Sequence, residues 1–233
     1  RDVPYYGLME TNINGADCVI SQTGFTGEKG YEIYVRDTHE NAEKVWNKVL
    51  EDGEEFGLMV IAPAHHRRIA AGILSWGQDL DHETSPFQVN LSYQVPRNKK
   101  SDYIGKAELE RQRDIIDAGD APFKMKMVGI IFGGKQITDY APDFWLIADT
   151  EGNDMGYVTS PWWSPELETN VALAWVPWSS SEVGTKLQVR LPDEYSESSG
   201  VPAEGEVVDV PFRDSVNPNK REVEKAKGLD FAE

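Results

Sequence analysis

The stretch Cys18-Val19-Ile20-Ser21-Gln22-Thr23-Gly24-Phe25-Thr26-Gly27-Glu28-Lys29-Gly30-Tyr31-Glu32-Ile33-Tyr34-Val35 runs from an apolar segment through a glycine-punctuated turn into period-two alternation. That is the pattern of two antiparallel strands joined by a tight loop, and it places a hairpin over residues 16 to 36. Gly24, Gly27 and Gly30 can each adopt a positive φ or let another group approach the backbone, so the turn suits a ligand-facing loop. The glycines lack the glycine–lysine spacing of a P-loop and the pattern of a dinucleotide fold, which argues against a nucleotide. Glu32 directly after the turn and Phe25 within it could instead offer a carboxylate and an aromatic face to a planar heterocycle. A carboxylate matches the paired N–H donors of an aminopyrimidine through two parallel hydrogen bonds. On the residues alone, a solvated strand glutamate is the plainer account of Glu32.

Outward from the hairpin, Asp37 or Thr38 can cap a helix whose apolar positions Ala42, Val45, Trp46, Val49 and Leu50 follow the 3.6-residue period until Gly53 or Gly57. A second helix is expected from Pro63 through His65, His66, Arg67, Arg68 and Ile69 towards Ile73 and Leu74. Strand then helix, twice over, indicates a mixed α/β layer. From Val95 the texture changes to a charged segment, Pro96 to Lys100, and a short helix from Lys106 to Arg113. Short runs follow at Met127 to Phe132, Phe144 to Ala148, Gly156 to Thr159, Val171 to Val176 and Lys186 to Leu191. Strands at that spacing point to a small antiparallel barrel or sandwich. The expected fold class is therefore α+β, with an α/β region over residues 1–95, a linker over 96–123 and a β domain over 124–233.

Composition limits the function classes. Hydrophobic residues at 39% supply enough apolar surface for packed cores and argue against disorder. Forty acidic against 23 basic residues give a formal charge of −17, which repels nucleic acid and anionic membranes. No stretch approaches the roughly 20 apolar residues needed to span a bilayer, so a soluble, cytoplasmic protein is expected. The single cysteine, Cys18, lies in an apolar alternation and reads as a buried structural thiol, leaving neither a disulfide framework nor a thiolate metal site.

Other chemistry-bearing residues are less telling. Adjacent helical positions point about 100° apart, so His65 and His66 do not readily share a metal, and a solvent- or anion-facing surface suits them better. Asp79 and Asp81 resemble a paired-carboxylate site, but aspartates after a helix commonly make turns and caps. No Ser–His–Asp arrangement can be assigned from spacing.

Ser21-Gln22-Thr23-Gly24-Phe25-Thr26-Gly27-Glu28-Lys29-Gly30-Tyr31-Glu32 closely resembles the Arg-Thr-Gly-Tyr-Thr-Gly-Glu-x-Gly-Phe/Tyr-Glu motif of the glycine cleavage T-protein family. Arg68 to Asp81, with Ala71-Gly72-Ile73-Leu74-Ser75-Trp76-Gly77-Gln78-Asp79, is similar to that family's Arg-Leu-Glu-Ala-Gly-Leu-x-Leu-Tyr-Gly-x-Asp segment. Gly156-Tyr157-Val158-Thr159-Ser160, Ser164-Pro165 and Asn170-Val171-Ala172-Leu173-Ala174 match its later motifs. The resemblance implies a folate-binding α/β region followed by a carboxy-terminal β-barrel, and transfer of a one-carbon unit from an aminomethyl or methylated donor to tetrahydrofolate. It implies Glu32 as the carboxylate that holds the pterin, Phe25 as the aromatic lining and Arg68 as a third cofactor-binding residue. Partners implied are a small-molecule donor and, as one candidate, a lipoyl carrier protein.

Several positions depart from the family. Ala64 stands where it has an arginine, His65 where it has Asp, Ala70 where it has Glu, and Pro161-Trp162-Trp163 replaces a glycine; its substrate-contacting tyrosine falls near Asn217. These changes suggest a donor other than a lipoyl-borne aminomethyl group, and the related tetrahydrofolate-dependent demethylases are equally similar around Arg68. The chain starts in mid-pattern at Arg1, so it is expected to be a carboxy-terminal portion whose catalytic aspartate lies in a preceding segment. No catalytic residue is named. Exposed apolar surface left by such a division would favour association into an oligomer. Two other function classes remain: a folate-binding regulatory or scaffold module without catalysis, and an interaction domain using Trp162 and Trp163 in a loop.

Overall fold

The computed structural model describes residues 3–63, 65–97 and 99–212. Arg1, Ala64 and Asn217 lie outside the described residues. The chain divides into two compact units, residues 1–68 and 69–233.

In the first unit, β1 (Leu8–Ile13), β2 (Ala16–Ser21) and β3 (Glu32–Val35) form an antiparallel sheet in that order. Asn14 and Gly15, at φ 50 and 82, close the β1–β2 hairpin, since successive positive φ angles match the strands' right-handed twist. The expected β2–β3 hairpin is present, with Ser21 opposite Glu32 and Cys18 opposite Val35. Helix α1 (Thr38–Gly53) follows and ends at the expected Gly53. Its start differs from expectation. Asp37 is the N-cap but sits in the left-handed region at φ 49 without a side-chain cap bond, and its carbonyl instead accepts from Glu40 and Asn41 N–H. Ala16, Cys18 and Val45 are buried together, with Ile13, Val35 and Val49 packed around them, so Cys18 is the structural thiol expected. Trp46, expected in the core, is 54% exposed.

The expected second strand–helix repeat does not form. Residues 58–63 carry no strand, and α2 (His65–Ala70) is six residues long, stopping well short of Leu74. Gly72, at φ 70, turns the chain away from the helix with its N–H on Ile69 O.

In the second unit, a stretch without regular structure leads to α3 (Lys106–Asp117), one turn longer than expected because Asp114 to Asp117 continue it. Arg97 holds Asp117 through two bonds of 2.5 and 2.9 Å, and Ser85 Oγ donates to Gln112 Oε1 at 2.6 Å. Strands β4 (Met125–Phe132), β5 (Trp145–Ala148), β6 (Asp154–Ser164), β7 (Thr169–Pro177), β8 (Lys186–Val189) and β9 (Ala203–Val208) close an antiparallel barrel in the order β4-β7-β6-β5-β8-β9. Pairing of β9 with β4 completes the ring and decides between barrel and sandwich. Its interior is filled by Val128, Ile130, Phe132, Ile147, Val158, Val176 and their neighbours. Trp162 and Trp163 lie in β6 and are partly buried, not in a loop. Residues 75–91 lie on the barrel, with Trp175 Nε1 donating to Asp79 O and Met127 N–H to Gln88 O. Among the described residues no helix is long and apolar enough to cross a membrane.

Candidate functional site

Alternation along the first sheet separates two faces. Ala16, Cys18 and Val35 point to α1, so Val19, Ser21, Glu32 and Tyr34 occupy the opposite face, with Val19 across from Tyr34 and Ser21 across from Glu32. The face away from the helix therefore carries a line of hydroxyl and carboxyl groups at the root of the glycine-rich loop.

Glu32 is partly buried and its Oε2 accepts two hydrogen bonds, from Thr23 Oγ1 and, at 3.0 Å, from Tyr34 Oη. Thr23 Oγ1 also lies 3.1 Å from Ser21 Oγ. Oε1 accepts from no side chain or N–H among the described residues. The hydrogen bond to Glu32, reinforced by the carboxylate's charge, raises the Tyr34 pKa above the usual phenol value, so Tyr34 stays a donor at neutral pH. Buried Gln22 donates to Tyr31 Oη at 3.2 Å, and its backbone N–H bonds Gly7 O, tying the loop's first residue to the segment before β1. Of the three loop glycines only Gly27 adopts a positive φ, 69. Phe25 is 51% exposed on the same loop.

Arg68 is placed elsewhere. It is a buried α2 residue whose Nε donates to His65 Nδ1 at 3.2 Å. Burial, and then the neighbouring Arg67 charge, hold His66 below the usual imidazole range. Among the described residues no group of three His, Cys, Asp or Glu side chains is arranged to hold a metal. Thr23 and Tyr34 were not singled out in the sequence. Tyr34 was detectable in principle, because two residues along a strand is the same face as Glu32.

In the second unit, Asp79 is buried and serves structure. Its Oδ1 accepts from Thr159 Oγ1 and Ser160 Oγ, both at 2.6 Å, and its Oδ2 accepts from Ser75 N–H at 2.8 Å. Neighbouring strand residues normally face opposite ways. Here the β6–β7 register shifts between Val158 and Ser160, and this bulge lets both hydroxyls reach one carboxylate. Asp81 accepts from Glu83 N–H and Thr84 Oγ1 in a turn.

Two family models match, the GCVT N-terminal domain over residues 1–99 and the glycine cleavage T-protein C-terminal barrel domain over residues 123–214. The aminomethyltransferase of Geobacillus sp. (strain WCH70) is 33% identical over 184 residues, covering 78% of this chain and 47% of that protein. That of Bacillus subtilis (strain 168) is 31% identical over 190 residues, covering 81% and 49%. The chain thus spans about half the length of the curated relatives it matches. Among solved structures, glycine cleavage system aminomethyltransferase T from Bartonella henselae superposes with a TM-score of 0.69 at 24% identity, covering 92% of this chain and 54% of that one. That likeness is one of fold.

Proposed function

From the premise that this chain belongs to the glycine cleavage T-protein family, we propose that it carries the folate-facing hairpin of a tetrahydrofolate-dependent one-carbon transferase. The donor would be an aminomethyl or methylated compound, with a lipoyl carrier protein as a candidate partner and the cytoplasm as the location. The observation that carries this reading is Glu32, a partly buried carboxylate with one oxygen fixed by two hydroxyls and the other without a donor among the described residues, beside a loop that exposes Phe25. This donor set suits a pterin: an aminopyrimidine edge offers N–H groups to a carboxylate, and its ring offers a face to an aromatic side chain.

Glu32 would hold the pterin edge, Phe25 would line the ring, and Arg68 is retained as the third cofactor-binding residue by its match to the family pattern. Tetrahydrofolate, when bound, supplies the nitrogen that receives the one-carbon unit. The residues described here bind and orient, and the rate gain expected from them is one of placement. A catalytic carboxylate is expected in a preceding portion of the longer protein. The division into residues 1–95, 96–123 and 124–233 belongs to the same proposal.

Isothermal titration of tetrahydrofolate into this chain, with Glu32→Ala alongside, tests the reading. Binding that disappears in the variant is the expected result; equal affinity in both proteins would overturn it. A non-catalytic folate-binding module is the second reading, favoured by Ala70 in place of the family's glutamate. Turnover of a panel of methyl and aminomethyl donors by the longer protein would exclude it.

A further inference from the structure

We propose that Thr23 and Tyr34 are positioning residues that clamp one oxygen of Glu32 and leave the other as the leading acceptor for the N–H donors of a planar amino-substituted heterocycle. The proposal rests on the folate reading above.

A glutamate near the end of a short strand has several free torsions, and an unclamped carboxylate would sample many orientations in water. Glu32 is held from two independent places. Thr23 reaches it across the base of the glycine-rich loop, and Tyr34 reaches back along β3 from two residues on. Both hydroxyls converge on Oε2, so rotation of the carboxylate about its last bond is restrained, and Oε1 has no donor among the described residues. Thr23 has one hydroxyl proton, within reach of both the carboxylate and Ser21 Oγ, 3.1 Å away, and the carboxylate is the stronger acceptor; the Ser21 hydroxyl donates to Gly7 O at 3.3 Å. Thr23 and Tyr34 thus each direct a hydroxyl proton to the same carboxylate oxygen. Tyr34 remains protonated at neutral pH, so it stays a donor to Oε2, and its ring is 56% exposed.

The clamp changes the recognition expected from a bare glutamate. Oε2 already accepts two bonds, so the symmetric two-bond contact becomes one led by Oε1. Holding an acceptor in its bound orientation lowers the ordering cost of binding. The same clamp makes the glycine-rich loop part of the site, because Thr23 is its second residue and Phe25 its fourth.

The test is calorimetric titration of tetrahydrofolate into the wild-type chain and into Glu32→Gln, Tyr34→Phe, Thr23→Val, Thr23→Ser and the Glu32→Gln/Tyr34→Phe pair. Tyr34→Phe and Thr23→Val should each weaken binding about tenfold, the effect of one hydrogen bond to a charged group. Thr23→Ser, which keeps the hydroxyl, should bind as wild type. Tyr34→Phe should add nothing in the Glu32→Gln background. Wild-type affinity in Tyr34→Phe and Thr23→Val, with Glu32→Gln impaired, would overturn the clamp and leave the folate reading standing. No wild-type binding, or binding indifferent to Glu32→Gln, would overturn both. A ligand-free absorbance titration of the tyrosines checks the geometry separately: one phenol should titrate later in wild type than in Glu32→Gln, and identical curves would also overturn the clamp.

Discussion

Burying a carboxylate removes its hydration, and Asp79 is tolerated because donors replace the water from two parts of the chain. Asp79→Ala would take their shared acceptor from the Ser160 hydroxyl and the Ser75 N–H inside the fold, while the Thr159 hydroxyl keeps Leu173 O at 3.2 Å. A loss of roughly 3 kcal/mol is expected, read as a lower urea midpoint with unchanged slope. Thr159→Val removes one donor and should cost about 1 kcal/mol. Asp79 was recognisable from sequence as a turn aspartate. Its partners were not, because strict strand alternation puts Thr159 and Ser160 on opposite faces, and only the bulge at Thr159 brings them together. Glu32 presents the same division. Its strand position and its side of the sheet follow from alternation, whereas the occupied and open oxygens depend on where the loop carries Thr23.

Elements obey local rules until a neighbour intrudes. Gly156 sits in β6 where a Cβ would lie 2.1 Å from Trp175 O, so the glycine of the Gly-x-Val-Thr-Ser motif is explained by the close approach of β7. Gly156→Ala should cost about 3 kcal/mol by forcing the strands apart, visible as a lower thermal midpoint of the barrel. In α3 the pair of bonds from Arg111 to Glu108, at 2.6 and 2.8 Å, is the main cause holding the Glu108 pKa down, at about 2. Because that value is depressed relative to the unfolded chain, the stabilisation is complete above about pH 4.5 and is lost as pH falls towards 2. Glu108→Gln should therefore flatten this part of the acid limb in a stability–pH profile. The helix itself was legible from its charge pattern. Its last turn, with Asp117 held by Arg97, depended on a residue 20 positions earlier.

Over the whole molecule, a formal charge of −17 opposes compaction. Raising NaCl from low salt to about 0.5 M should raise the thermal midpoint by screening that repulsion, and a flat response would mean the carboxylates are already locally compensated. The sequence by itself determined the β2–β3 hairpin, α1, α3, five of the barrel strands in outline and the family, since turn chemistry and periodicity act over a few neighbouring residues. The tertiary structure alone decided that β9 is the strand that pairs with β4, that residues 58–63 form no second strand, that Asp79 is buried, and which oxygen of Glu32 takes the two hydroxyls. Each of those outcomes is a contact or competition between distant residues, and no local pattern encodes whether a strand finds its partner or a carboxylate its donors.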